Sequence, residues 1–360
     1  MSVKSNLEAL CLIPAISGHE QPVAAYMKES FAKAGLKPEI DRMGNCIATV
    51  EGQDPSLPSI LVFGHMDQIG FMVKYIDDDG FILVERLGGV PERVMPAREV
   101  CIIARDGTHI DGTIGVKAHH ATSAEEKYVV RKVDASYIDI GARSRDEVKM
   151  LGIDIGSPVL YAPSFTTLRN DTVRATSLDN RVACAIVLEL AQKLKDNAVK
   201  NTVHLAGTVQ EEFNDRGAII AARAVKPDMV ICIDICLEHG TPDMKGTGEV
   251  RLGSGPVISL YNFHGRGTLN GTIPHPGMVK LIESAAEKSG INIQRSVSIG
   301  LLTDLAYVQF EGMGLKAVDI GIPCRYTHTP AEMCSIGDIE KAADLIYEAI
   351  TQLQDTKIER

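Results

Sequence analysis

The chain has 360 residues, 45% hydrophobic and 23% charged, which excludes disordered and fibrous classes and leaves room for about two domains at ~150 residues each. A net charge of -10 disfavours nucleic acid or an anionic membrane surface as the main partner, because neither attracts an acidic protein. No apolar run approaches the ~20 residues of a membrane span, no secretory leader pattern opens the chain, and eight cysteines are scattered singly, so the protein reads as cytoplasmic with reduced thiols.

In chain order, Ser17 and Glu20 have capping-box spacing, and Val23, Met27 and Phe31 follow at helical intervals, predicting a helix that ends at Gly35. Strands are predicted over 39–51, broken at Gly44, and over 59–64, where the run SILVF suits a strand buried on both faces. From 71 to about 162 the pattern changes to short β-rich runs separated by turns such as Asp79-Gly80 and Asp106-Gly107. That stretch predicts a small barrel or sandwich looped out of a domain that resumes near Ser164. Beyond it, predicted helices over 180–194, 216–224, 276–289 and 337–353 alternate with strands over 202–209, 229–235 and 316–322. Such alternation is the signature of an α/β sheet with helices on both faces.

Four segments rich in ligand-type side chains each follow a predicted strand. SILVFG leads into His65-Met66-Asp67, HLAGTV into Gln210-Glu211-Glu212, MVICI into Asp234, and KAVDIGIPCRYT into His328. Open α/β sheets build their sites at the carboxyl ends of strands, so these segments can converge on one cleft, joined by Asp179 just before a long helix. Taken singly, Asp179 is an ordinary helix N-cap and Asp234 a strand-end cap. Together, two imidazoles and several carboxylates form a donor set suited to zinc, cobalt or manganese. A dinuclear hydrolytic site needs a carboxylate bridging two ions, terminal ligands and a base that is not itself a ligand. Adjacent Glu211 and Glu212 can divide those last tasks, and Asp67, two residues past His65, can accept the second ring N–H of that histidine.

The chain resembles the dinuclear metallopeptidases that include tetrahedral, glutamyl and deblocking aminopeptidases, some of them named endoglucanases. The resemblance is nearly end to end and is carried by SGHE at 17–20, GHMDQIGF at 64–71, LGG at 87–89, YIDIGARS at 137–144, SLDNR at 177–181, EEFNDRGA at 211–218 and RYTHTPAE at 325–332. It implies a zinc-peptidase-like mixed sheet flanked by helices, formed by 1–70 and 164–360, with 71–163 as an inserted β-barrel domain used in oligomer assembly. It also implies two divalent ions per chain, zinc first, with cobalt or manganese as alternatives. His65 and Asp234 become terminal ligands, Asp179 the bridge, and Glu212 and His328 further ligands. Glu211 becomes the base acting on a bridging water or hydroxide, with Asp67 behind His65. The implied substrates are peptides with a free N-terminus, and the implied assembly is a homo-oligomer, dimer or dodecamer.

Three departures bear on substrate preference: Gln68 stands where glutamate is usual after His-Met-Asp, Phe213-Asn214-Asp215 where a glycine is typical, and Ile-Cys-Leu-Glu-His follows Asp234. Two other readings stay open: a metal-dependent deacylase or amidase, which the ligand motifs do not exclude, and a glycosidase, which follows only from the endoglucanase name given to some members of the family and whose two-carboxylate chemistry needs no transition metal. Of the remaining histidines, His239 is the one expected to line the cleft, while His264 lacks a ligand-like context.

Overall fold

The computed structural model describes residues 2–195, 197–265, 271–353 and 358–359. It opens with a helix that the sequence reading passed over, α1 (Val3–Cys11), whose first turn is capped by the Ser2 hydroxyl accepting from Ser5 N–H at 3.2 Å. Val3, Leu7 and Leu10 recur at helical intervals and are buried. In α2 (Gln21–Lys33) the predicted stripe Val23, Met27 and Phe31 is fully buried, and Gly35, in the left-handed region at φ 82°, ends the helix while Leu36 N–H closes onto the Phe31 carbonyl at 3.1 Å. The predicted capping box is not formed. Glu20 is itself the cap residue without a side-chain cap bond, its carboxylate instead accepting Gly18 N–H at 2.8 Å and Gln210 N–H at 3.0 Å, and the Ser17 hydroxyl donates to Asp67. Local spacing allowed a box; longer-range partners took both side chains.

Strands β1 (Glu39–Ile40), β2 (Cys46–Val50) and β3 (Ile60–His65) enter the main sheet. The chain then leaves for a closed barrel built from β4 (Gly70–Ile76), β5 (Ile82–Leu87), β6 (Glu99–Ile103), β7 (His109–Ile114), β8 (Ile138–Asp139) and, after the short helix α3 (Arg145–Met150), β9 (Pro158–Tyr161). Alternating residues such as Phe71 and Val73, Ile82 and Val84, Val100 and Ile102 give it a hydrophobic core of its own. A hairpin of β10 (Phe165–Thr167) and β11 (Thr172–Ala175) brings the chain back.

The return half supplies α4 (Leu178–Lys195), β12 (Val203–Thr208), α5 (Gly217–Val225), β13 (Met229–Leu237), β14 (Val257–Phe263), β15 (Gly271–Thr272), α6 (Pro276–Ser289), β16 (Gln294–Ile299), α7 (Leu305–Val308), β17 (Lys316–Cys324), β18 (Glu332–Ser335) and α8 (Ile336–Gln352). Among the described residues the main sheet has nine strands in the order β1-β2-β12-β3-β13-β17-β14-β15, with β16 beside β14. Its centre, β12-β3-β13-β17, is parallel, and the sheet is mixed because β2 runs against β12 and β14 against β17. Both faces of β3 are buried: Ile60 and Val62 face the core under α1, α2, α4, α6 and α8, whereas Leu61 and Phe63 face the one under α5 and α7. The sequence predicts the central parallel strands but not α1, α3, α7, β7, β10, β11, β14 to β16 or β18, most of them short or set where no long helix marks a crossover.

No helix among the described residues is long and apolar enough to cross a membrane, and all eight cysteines are buried free thiols. Helix α4 packs closely on the sheet at Gly64, where an added Cβ would lie 2.1 Å from the Ala183 Cβ and 3.1 Å from the Ile233 carbonyl. Gly64→Ala is therefore expected to lower stability by about 1–3 kcal/mol, the usual range for overpacking a filled core. Urea unfolding tests this, and an unchanged midpoint would mean that α4 moves aside without cost.

Candidate metal centre

Four parallel strands deliver the site. His65 is the last residue of β3 and pairs across the ladder with Thr208, the last of β12, from which the chain turns into Glu211 and Glu212. Asp234 lies within β13, which runs on to Leu237 beyond its pairing with β3, so it is a strand residue rather than a strand-end cap. His328 sits in the loop between β17 and β18 with a left-handed backbone, φ 61°.

Asp179 is the residue these elements surround. Its two oxygens are divided between the imidazoles: Oδ1 is 3.2 Å from His65 Nε2 and Oδ2 is 3.4 Å from His328 Nε2. It is not the N-cap of α4. The peptide between Asp179 and Asn180 is cis, and Asn180 takes the capping role, its Oδ1 accepting Ala183 N–H at 3.2 Å and its Nδ2 donating to the Ile233 carbonyl at 2.9 Å.

Both histidines are oriented from behind by carbonyl groups, which can only accept. His65 Nδ1 lies 3.1 Å from the Asp67 carbonyl and His328 Nδ1 lies 3.0 Å from the Gly89 carbonyl, so Nδ1 carries the proton and each Nε2 faces the carboxylates. The Asp67 carboxylate stands 3.4 Å from His65 Nδ1, a weaker contact than its own backbone makes. Its firmer bonds are with the loop after β12, accepting Glu211 N–H and Glu212 N–H, each at 3.1 Å. Asp67 thus ties β3 to the glutamate pair. Glu211 Oε2 lies 3.7 Å from His65 Nε2, and Glu212 Oε1 lies 3.5 Å from His328 Nε2.

The sequence reading gave no role to Glu332, the last residue of the RYTHTPAE motif. Buried at the start of β18, its carboxylate accepts Asp179 N–H at 3.0 Å and His328 N–H at 2.8 Å, so one side chain sets the position of two site residues. The LGG motif also acquires a reason. A Cβ on Gly89 would stand 2.8 Å from His328 Nδ1, and one on Gly88 would stand 2.8 Å from Ile69 and 3.0 Å from Glu212 Oε2, so only glycines let this barrel loop lie against the site.

The charges are arranged around a deficit of cations. Burial pushes the Glu211 carboxyl well up, with His65 opposing it and Asp215, Glu212 and Asp234 adding to it. Burial likewise raises Glu212, to about 7, against the pull of His328, and raises Asp234 with Asp179 beside it. Burial acts the same way on Asp179, but His328 and His65 overcome it and hold that carboxyl below its ordinary range. His65 is driven up by Glu211, Asp179 and Asp67 against burial, and His328 chiefly by Glu212. The donors fall into two groups that share Asp179: His65 with Asp179 and Asp234, and Asp179 with Glu212 and His328, the donor atoms within each lying within 4.8 Å of one another. Nitrogen and oxygen donors with surplus negative charge fit divalent ions.

Asp179, Glu211, Glu212, Asp234 and His328 line a cleft of about 260 Å³ together with Asn214, Asp215, Ile235, Leu301, Leu302 and Tyr307. His264 lines it, not His239, which lies against Gly248. The departures noted in the sequence have plain structural settings. Gln68 is buried and accepts from Arg181 Nη2 at 3.4 Å. Asn214 and Asp215 both adopt left-handed backbones, φ 67° and 53°, the conformation that favours glycine and that Asn and Asp tolerate best among other residues.

A mixed α/β sheet carrying overlapping imidazole and carboxylate donor groups at its parallel strand ends has the make-up of a candidate metal-dependent enzyme. The family model for M42 glutamyl aminopeptidases matches residues 44–345, so the chain belongs to that family and is a hydrolase of the aminopeptidase class. The Escherichia coli protein SgcX is 38% identical over 346 residues, covering 96% of this chain and 92% of its own. Among solved structures, an aminopeptidase from Desulfurococcus kamchatkensis superposes with a TM-score of 0.90 at 30% identity over 99% of both chains. The Pyrococcus horikoshii TET1 peptidase, described as assembling into a tetrahedron or a large octahedral shell, gives 0.84 at 29% over 97% of this chain and 99% of its own. Of the three readings open in the sequence, family membership selects the aminopeptidase.

Glu332 offers a test of the centre that leaves the donors in place. In Glu332→Gln one of two accepting oxygens becomes a donor facing an N–H, and affinity for a divalent ion is expected to fall about 10–100-fold, as for other groups that orient ligands. Chelator competition measures this, with circular dichroism to check the fold; affinity within twofold of the parent would refute the assigned role.

Proposed function

We propose that this cleft removes N-terminal residues from peptides with two divalent ions per chain, one held by His65 and Asp234, the other by Glu212 and His328, and Asp179 shared between them. The observation that carries the reading is the overlap of two donor groups at Asp179, whose oxygens address different histidines. Zinc fits this donor set first, and cobalt or manganese also fit. When bound, such ions polarise the scissile carbonyl and acidify water between them. Glu211 belongs to neither donor group yet stands beside His65, which suits a base that takes the water's proton and returns it to the leaving amine. Asp67 acts through others: it holds the amides of the glutamate pair and the ring of His65. Buried free thiols agree with a reducing cytoplasm.

The segment 71–163 is the proposed seat of subunit contacts, in a dimer or a dodecamer. Its support is the exposed apolar run Tyr128, Val129 and Val130 on the barrel and the assembly described for the TET1 peptidase. Light scattering is expected to give at least twice the 38.9 kDa chain mass, reduced by the double substitution Val129→Glu and Val130→Glu. A monomeric parent protein would end the idea.

The roles of the two glutamates separate in a paired experiment. Reconstituted protein is expected to hold about two ions per chain, and Glu211→Gln to keep both while losing ~10²- to 10⁴-fold in kcat. Glu212→Gln is expected to lose metal. If Glu211→Gln sheds an ion and Glu212→Gln does not, the two roles are exchanged; a stoichiometry near zero in the parent removes the dinuclear reading.

A further inference from the structure

The loop that carries Glu211 and Glu212 is held from two sides. Between β12 and α5 the chain folds back on itself and meets its own carbonyls: Gly217 N–H donates to the Val209 carbonyl at 2.9 Å, Arg216 N–H to that of Gln210 at 3.2 Å and Asp215 N–H to that of Glu211 at 2.9 Å. The amides of 209–212 need acceptors of their own, and side chains from outside the loop supply them. Val209 N–H donates to Asn45 Oδ1 at 3.0 Å and Gln210 N–H to Glu20 Oε1 at 3.0 Å, while Glu211 N–H and Glu212 N–H go to the two oxygens of Asp67, each at 3.1 Å. Asn45, Glu20 and Asp67 are all buried, so four consecutive amides are fixed away from water by three side chains of the first 70 residues.

The Gln210 amide is the one that bears on direction. Gln210 has a left-handed backbone, φ 59°, which a residue other than glycine keeps only where its surroundings impose it. It immediately precedes Glu211, so a rotation at Gln210 re-aims the carboxyl that stands 3.7 Å from His65 Nε2. Glu20 is the side chain on that amide, and its single oxygen Oε1 also accepts Gly18 N–H at 2.8 Å. A glutamate that served only the start of α2 would turn its carboxylate to the first-turn amides, and Glu20 makes no such bond. Glu20 is not among the described residues lining the metal cleft; with Gly18, Val209 and Gln210 it borders a separate hollow of about 230 Å³. The SGHE motif thereby acquires a purpose. Its serine hydroxyl donates to Asp67 and its glutamate receives Gln210, so both ends of the motif steady one loop.

We propose that Glu20 is a positioning residue for the hydrolytic step: touching neither ion nor substrate, it holds the Gln210 amide and so keeps Glu211 aimed at the water it deprotonates. The inference rests on the aminopeptidase reading of the cleft and on Glu211 as its base. Because one oxygen receives both amides, position 20 must supply an acceptor at glutamate length; a negative charge is not the requirement.

The test separates reach from charge. Glu20→Asp keeps the charge and shortens the side chain by a methylene, whereas Glu20→Gln keeps the length and an accepting oxygen and removes the charge. On zinc-loaded protein and a panel of aminoacyl coumarylamides, kcat of Glu20→Asp is expected to fall about 10²-fold, the loss that follows misplacing a reacting group by about an ångström, and Glu20→Gln to lie at least about tenfold above it. KM is expected to stay within about threefold of the parent value and ion content to match the parent, the pattern of an interaction felt only in the transition state. Hydrogen–deuterium exchange gives a readout independent of turnover: the amides of 209–212 are expected to exchange faster in Glu20→Asp than in the parent or Glu20→Gln, with those of the main sheet unaltered. Parental kcat in Glu20→Asp overturns the proposal. So does Glu20→Gln as impaired as Glu20→Asp, which would make charge the requirement, and so does loss of ions from Glu20→Asp, which would put the effect on the donors. Should Glu20→Asp fail to fold, Glu20→Gln decides alone: kcat within about tenfold of the parent sustains the proposal and a larger fall overturns it. A metal-loaded parent that cleaves no free-amine substrate removes the aminopeptidase reading, and Glu211→Gln as active as the parent removes the base; either result takes the proposal with it.

Discussion

A single buried carboxylate, shared by two imidazoles, constrains the rest of the structure. An isolated ion at the position of Asp179 would cost several kcal/mol, and the fold offsets that cost from three directions. His65 arrives at the end of β3, His328 from the loop after β17, and the Thr327 hydroxyl donates to Asp179 Oδ2 at 3.1 Å. Glu332 then clamps the Asp179 amide. For these groups to meet, β3 and β17 must flank β13 in parallel, and α4 must press onto β3 closely enough that position 64 has no side chain. The order of the central strands is therefore a requirement of the site as much as of the core.

How much of this could be read in the sequence follows the range of the interactions. His65, Glu211, Glu212 and His328 were legible because strand ends leave a local signature, an apolar run followed by polar residues, and parallel strands gather their ends. Helices α2, α4, α6 and α8 were legible from periodicity. The box at Ser17 and Glu20 misled because spacing records what a side chain can reach within one turn, and says nothing of a competitor 50 or 190 residues away. Asp179 shows the same limit: as a helix-start acid it reads as a cap, yet its neighbour Asn180 caps and Asp179 faces inward. The part played by Glu332 depends on two amides 153 and four positions distant, which no local pattern encodes.

The three departures from the family pattern leave the donors untouched and fall around them. Gln68 replaces a charge beside Arg181, a fully buried guanidinium whose Nε and Nη1 have no partner and whose Nη2 is spread over the carbonyls of Ile13 and Ala15 as well as Gln68. Burial lowers the pKa of that arginine, while the acids Asp67 and Glu20 favour its charge. Asn214 and Asp215 keep the backbone shape that a glycine would adopt and add polar side chains to the wall of the cleft. The framework that holds the donors is thus separable from the surface a substrate meets, as in other folds that carry many chemistries on one scaffold.

The Gly89 carbonyl reaches from the barrel to Nδ1 of the His328 ring, whose Nε2 faces Asp179 and Glu212. Thermodynamic linkage makes such a tie work in both directions. Whatever steadies the barrel loop sharpens the aim of His328, and whatever occupies the cleft at His328 stiffens the loop in turn. The β-barrel is in this sense a lever arm on the site: its loop carbonyl grips one nitrogen of the imidazole while the main sheet presents Asp179 to the other.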